Sequence, residues 1–304
     1  MTALAACGAP PTETQNAPQA TAECRIDADA RIPWSDWRPE DDVSGTAIFD
    51  YSGCSKRLVF IAAEHENDPA SDTFAAVRQM IAGDPDLVLI EGVPAQRGRN
   101  YQPVLDHAAR VEATPGDNES MLAARLSDAR GIPFVGAEPR DDAVLDYALE
   151  NGVSEVELIG FYVLRQLPQM ARSGEVDSVD GPDMAAAIED LVPYFADETG
   201  LDREAVADID TLPEFQEWYA GFNDRSFDEV LDMRDSVPSA SLPDPARSNF
   251  ISDIVADARD DFILARIEDA LDAHDHVLIV YGGSHQTVQD PALQAAFGAP
   301  TRLR

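Results

Sequence analysis

Basic residues are scarce in this chain. Its 304 residues hold 22 Lys and Arg against 57 Asp and Glu, a formal net charge of −35. A surface of that sign repels nucleic-acid phosphates and anionic lipid, which excludes a nucleic-acid partner. The acids are spread along the chain rather than gathered in a tail. They describe an evenly solvated surface, suited to salt, that attracts metal cations or cationic ligands weakly and non-specifically. No run approaches the roughly 18 consecutive apolar residues of a membrane helix. The hydrophobic fraction, 44%, is nevertheless ordinary for a globular protein. Cysteine is limited to three residues, none with a second cysteine near it, which excludes a paired-cysteine metal site. Histidine is limited to five. There is no HExxH, no GxSxG elbow and no short repeat.

What is present is a set of apolar runs that end alike. Leu58-Val59-Phe60-Ile61 leads to Glu64 and His65, and Leu87-Val88-Leu89-Ile90 to Glu91. Pro133-Phe134-Val135-Gly136-Ala137 leads to Glu138. Val277-Leu278-Ile279-Val280-Tyr281 leads through Gly282-Gly283-Ser284 to His285. Short β-rich runs bounded by turn residues read as buried strands of a largely parallel sheet. Ligands of open α/β sheets sit outside the carboxyl ends of such strands. The expectation is an α/β fold: a mainly parallel or mixed central sheet flanked by helices, with His65, Glu91, Glu138 and His285 on one rim.

The chain divides by composition. Residues 1–23 read as a tether and 24–56 as an irregular strap carrying Trp34, Trp37 and a possible strand at 46–49. Residues 57–152 read as the first part of the α/β core, with a strand at 57–62, a helix from Ser71 stopped by Gly83-Asp84-Pro85, and a strand at 87–91. A helix over 119–130 ends at Gly131, a strand covers 133–137, and a helix runs from about 142 to Gly152. Ser154-Glu155-Val156-Glu157 opens a helical insertion over 153–242 as a capping box. Its Trp218, Tyr219, Phe222 and Phe227 read as a small core of its own. Residues 243–304 return to the α/β core. A long helix with Phe250, Ile254, Phe262, Ile263 and Ile267 on its buried stripe precedes a strand at 276–281 and a closing helix at 291–297. The loop 92–101 brings Arg97 and Arg99 near Glu91, either against a substrate carboxylate or simply exposed.

Two histidines and one or two carboxylates suit a divalent transition metal such as Mn, Co or Zn. They equally suit metal-free acid/base work, with Glu91 orienting a histidine. Spacing alone leaves both open. Ser284 beside His285 does not read as a nucleophile pair, because neighbours in an extended strand face opposite ways. His107 reads as exposed, and His274 and His276 lie at the far end of the last strand.

Leu4-Ala5-Ala6-Cys7 has the form of a lipobox and resembles the signal of bacterial lipoproteins. The Pro/Ala/Thr/Gln segment that follows suits a tether. No basic or apolar region precedes Leu4, so either the start is truncated or the match is chance. The resemblance implies lipid on Cys7, a periplasmic location, and contact with the membrane only through that anchor. In an oxidising periplasm Cys24 and Cys54 are expected to pair and pin the strap, the alternative being two buried thiols.

The core motifs carry a second resemblance. Ala62-x-x-His65, Glu91 on the next strand and Gly282-Gly283-Ser284-His285 are similar to the superfamily grouping TraB/PrgY–Tiki–GumN proteins, erythromycin-esterase-like hydrolases and ChaN-type haem-binding lipoproteins. The match covers about 57–150 and 245–298. Arg259-Asp260 is similar to an Arg-acid pair in several members. Ala62 replaces the glycine of the first GxxH motif, and Glu64 stands directly before His65. The resemblance implies a hydrolase of peptides or esters. His65 and His285 would be metal ligands or acid/base groups, Glu91 a base or ligand, Glu138 a supporting carboxylate and Arg259 an anion stabiliser. The alternative it implies is a haem- or metal-binding lipoprotein without turnover, and a third is a degenerate, structural member with an altered first motif.

Overall fold

A computed structural model describes residues 24–95, 101–112, 114, 117–232 and 234–304. The tether with Cys7, and Arg97 and Arg99, lie outside the described residues.

Six strands form one mixed sheet: β1 (Ala47–Tyr51), β2 (Arg57–Ala63), β3 (Leu87–Pro94), β4 (Phe134–Glu138), β5 (His276–Gly282) and β6 (Thr301–Arg302), in the order β4-β3-β5-β2-β1-β6. Four of them, β4, β3, β5 and β2, run parallel. β1 is antiparallel to β2 and to β6. The parallel strands are the apolar runs. Leu58 to Ile61, Val88 to Ile90 and Val277 to Tyr281 are almost fully buried, as strands covered on both faces require. The register then places the rim. Ala63 pairs with Gly282, and Ile90 with Val280 on one side and Gly136 on the other. Each run therefore ends at nearly the same height.

Helices follow from their caps. Ser71 accepts from Phe74 N–H to open α1 (Asp72–Ile81). Next are α2 (Gln102–Val111) and α3 (Glu119–Arg130). Asn118 caps α3 through Met121 N–H, and Gly131 ends it at a left-handed φ of 69°. After α4 (Asp141–Glu150), the Ser154/Glu157 capping box opens α5 (Glu155–Ser173). The remainder of the insertion is α6 (Pro182–Thr199), α7 (Leu212–Asn223) and four short 3₁₀ turns between 203 and 241. It has its own core, with Tyr219 and Phe227 buried. Trp218 and Phe222 stack at 4.6 Å.

The long helix α8 (Arg247–Ala273) serves two cores. Ile251, Val255 and Ala258 pack with the helical insertion, whereas Ile263, Leu264, Ile267 and Leu271 pack under the sheet. Phe250, expected on the buried stripe, is 45% exposed. The buried face rotates along the helix because its two halves meet different partners. Arg259 and Asp260 fall at the change-over.

The last helix differs from expectation. α9 spans Gly283–Phe297 and begins directly after β5, running through Pro291. His285 is therefore in the first turn of a helix rather than on an extended strand end. The strap is tied by a Cys24–Cys54 disulfide, Cα atoms 5.5 Å apart. Trp34 and Trp37 bury against Val288 of α9.

Candidate functional site

His65 leaves the end of β2 and is 61% exposed at its side chain. Its Nδ1 lies 2.6 Å from Glu119 Oε1 and its Nε2 3.7 Å from Glu91 Oε2. One ligand atom from each of His65, Glu91 and Glu119 falls within 4.8 Å of the others, so this group could hold a metal ion. It is the only such group of three or more among the described residues.

The Glu119 bond, opposed by burial and helped by the charges of Glu91 and Glu119, raises the His65 pKa to about 9. The imidazole is thus an acid at neutral pH, held between two carboxylates. A cation bound there would displace its proton.

Glu119 was not legible in the sequence. It is the first residue of α3, where an acid is an ordinary complement to the helix dipole, and 54 residues separate it from His65. Only its burial, 4% exposed, marks it. Its Oε1 meets His65, while its Oε2 is buried with no hydrogen-bond partner among the described residues. An unsatisfied buried carboxylate oxygen is costly. A cation at the mouth of the group would satisfy it, so the donor set fits a metal.

Glu91 is fixed from two sides. Gly282 N–H donates to Oε2 at 2.7 Å, and Arg259 Nη2 to Oε1 at 3.2 Å. Gly282 is glycine for space. Its φ of −55° suits any residue, but an added Cβ would stand 3.0 Å from His65 Nε2 and 3.5 Å from Glu91 Oε2. Close approach to His65 and Glu91, and not a left-handed φ, explains this position.

Arg259 also binds Glu138 in fork geometry, Nε to Oε2 at 2.8 Å and Nη2 to Oε1 at 2.7 Å. Tyr281 hydroxyl donates to the same Glu138 Oε1 at 2.5 Å, and Gly92 N–H at 3.1 Å. Burial alone would raise Glu138. The Arg259 charge and these bonds overcome it and pull the carboxyl to about 2. Burial and the carboxylates around it likewise push the Tyr281 phenol well above its usual value, so it stays a donor. Glu138 is on the rim as expected, but it is committed to Arg259 and is not part of the metal-capable group.

His285 is also elsewhere. It is 6% exposed, and its Nδ1 faces Asp260 Oδ1 at 2.9 Å. Asp260 is held by Gln289 Nε2 and Trp34 Nε1, each at 2.5 Å. The rings of Trp34 and Tyr281 lie 5.1 and 4.8 Å from that of His285. The helical start of α9 turns His285 toward α8 and the strap, into a His–Asp–Trp–Gln set. His285 thus stands beside Tyr281, which hydrogen-bonds Arg259 at 2.9 Å, while His65 and Glu91 share their group with Glu119. Of the remaining histidines, His107 is exposed on α2 and His276 starts β5 at the opposite rim.

Beside His285, a cavity of about 190 Å³ is lined by Trp34, Trp37, Phe161, Arg165, Arg259 and Ser284, among others. No protein-family model, curated protein or solved structure matches this chain.

Proposed function

We propose that the chain is a hydrolase of peptide or ester bonds working with a divalent metal, Mn, Co or Zn, held by His65, Glu91 and Glu119. The observation that carries this reading is the buried Glu119 Oε2, without a hydrogen-bond partner among the described residues, beside an exposed imidazole and a second carboxylate. One imidazole and two carboxylates suit such ions. When bound, the ion would polarise a carbonyl and lower the pKa of water.

The chain's own residues do the rest. Gly282 N–H and Arg259 hold Glu91 in place. Exposure of His65 leaves a substrate open access. The paired Glu138 keeps Arg259 aimed at the rim. The likeness of the His65, Glu91 and Gly282–His285 motifs to the superfamily of metal-dependent peptidases and esterases supports this class. Here, however, His285 is read as a positioning residue for the Tyr281–Arg259 side, rather than a ligand.

One observation favours a second reading, a metal- or haem-binding protein without turnover. Both Glu91 oxygens already accept hydrogen bonds, so Glu91 is not free to act as a base. For location, the Leu4–Cys7 pattern and the Cys24–Cys54 disulfide support a periplasmic protein lipidated at Cys7. Mass spectrometry of the native N-terminus tests that reading.

The functional test is a titration of the metal-stripped protein with Zn²⁺, Mn²⁺ and Co²⁺, alongside a screen of peptide and ester libraries. Saturable binding, loss of it in Glu119→Gln, and turnover abolished by EDTA and restored by metal are expected. Binding without turnover, or a Soret band on haem addition, would move the conclusion to the second reading. No binding of any of the ions would overturn the metal reading.

A further inference from the structure

Arginine is the rarer partner in this chain, and nearly every buried guanidinium meets an acid or a carbonyl. Arg259 is shared by Glu91 and Glu138, Arg125 grips Asp117, and Arg31 bridges Asp257 and Asp261. Arg165 departs from this pattern. It sits on α5, half-buried, and lines the cavity beside His285. Among the described residues it makes no hydrogen bond or ion pair; Glu138 and Asp141 act on it only through charge, at longer range. Its guanidinium carbon stands 5.9 Å from the Phe161 ring centroid. Burial and the neighbouring Arg259 charge weigh against this cation more than Tyr162, Glu138 and Tyr281 favour it. A side chain with that cost and no acid in direct contact, in a protein with 57 acids to choose from, faces space left for an anion from outside.

The rest of the cavity agrees. Arg259 forms a second cationic wall, although its charge is largely spent on Glu91 and Glu138. Ser284 and His285 belong to the first turn of α9, which has no side-chain cap. Trp34 and Trp37, tilted with centroids 5.0 Å apart, and Phe161 supply aromatic walls. Trp34 is locked by its bond to Asp260. At about 190 Å³ the space is below the about 300–1,000 Å³ of drug-sized ligand pockets. A single small molecule fits.

We propose that this cavity binds a small organic carboxylate: the anion on Arg165, and an apolar or aromatic body between Trp34, Trp37 and Phe161. The site is separate from the His65–Glu91–Glu119 group, touches it only through Arg259, and binds whether or not that group turns a substrate over. The same chemistry is offered by a free carboxylic acid and by the carboxyl terminus of a short peptide ending in an apolar residue.

Benzoate serves as the probe, with benzamide as its neutral isostere and inorganic phosphate as an anion lacking the apolar body. Calorimetry and tryptophan fluorescence on the full chain should show saturable binding of benzoate, with benzamide and phosphate much weaker. N-acetyl-phenylalanine against the dipeptide Ala-Phe then separates a free acid from a peptide terminus. Arg165→Gln should weaken benzoate about ten- to a hundred-fold, and Arg165→Lys should recover part of that. Because Arg165 makes no hydrogen bond or ion pair among the described residues, Arg165→Gln should leave the Tm unchanged or raise it. A structural arginine would do the opposite, so a clear fall in Tm counts against the proposal. Equal binding of benzoate and benzamide, undiminished binding in Arg165→Gln, or no saturable benzoate binding would each overturn it. Zinc titration of the same variants keeps this outcome distinct from that of the metal group, which Arg165→Gln should not disturb.

Discussion

Gly282 and Glu138 show how much single residues decide here. An alanine at Gly282 keeps its backbone conformation but places a methyl group 3.0 Å from His65 Nε2. Gly282→Ala should therefore fold with a near-native Tm yet lose most metal affinity; isothermal titration of the metal-stripped protein measures it. Glu138 carries a stability consequence. Its carboxyl titrates near 2 in the folded protein against 4.5 unfolded. The depressed value means the Arg259 pair stabilises fully above about 4.5, and that contribution is lost as pH falls toward 2. The difference corresponds to about 3 kcal/mol. Urea unfolding of wild type and Glu138→Gln between pH 6 and 2.5 should show a steeper acid loss in the wild type. Parallel curves would remove Glu138 from the acid response.

At the scale of elements, the strap and α8 do most to place the chemistry. The strap brings Trp34 and Trp37 over α9 and is tied at Cys24 and Cys54, 30 residues apart. Replacing both cysteines with serine should cost about 2–4 kcal/mol by freeing the unfolded chain, and should loosen the aromatic wall of the cavity. Chemical denaturation and the tryptophan emission maximum check the two effects separately. α8 carries Arg259 to Glu91 and Glu138 and Asp260 to His285. Consecutive residues of one helix thus serve the two halves of the region. β3 and β4 meet closely at Gly136, where an added Cβ would lie 2.1 Å from the Val93 carbonyl oxygen. That carbonyl belongs to the irregular stretch of β3 between Ile90 and Pro94. Gly136→Ala should force the rim strands apart and lower the Tm by several degrees, read by thermal unfolding.

For the whole molecule, a charge of −35 sets the response to salt. Self-repulsion of so many acids opposes the compact state, and salt screens it with a Debye length of about 10 Å at 0.1 M. The Tm should rise between about 10 mM and 500 mM NaCl. A Tm that is flat or falls would mean that the surface ion pairs outweigh the repulsion.

The sequence by itself determined the four parallel strands, most helices and the rim, but not β6. Apolar runs of β-branched residues need burial on both faces, and Ser71, Asn118, Gly131 and the Ser154 capping box are local signals that act within a turn. His65, Glu91 and Glu138 were legible because each follows such a run, and the parallel register brings the ends together. The Cys24–Cys54 pairing was legible because these were the two cysteines outside the lipobox-like segment. Tertiary structure alone decided the rest. Glu119 joins His65 across 54 residues through the packing of α3, which no periodicity reports. The helix α9 begins at Gly283 rather than near 291, so His285 turns to Asp260 instead of to His65. Arg165 reads as one more polar residue on an insertion helix, and only the arrangement of the strap, α8 and α9 around it leaves it facing a cavity without an acid. Local propensity and hydrophobic pattern act along the chain, whereas the partner of a charge is set by which elements the two cores press together.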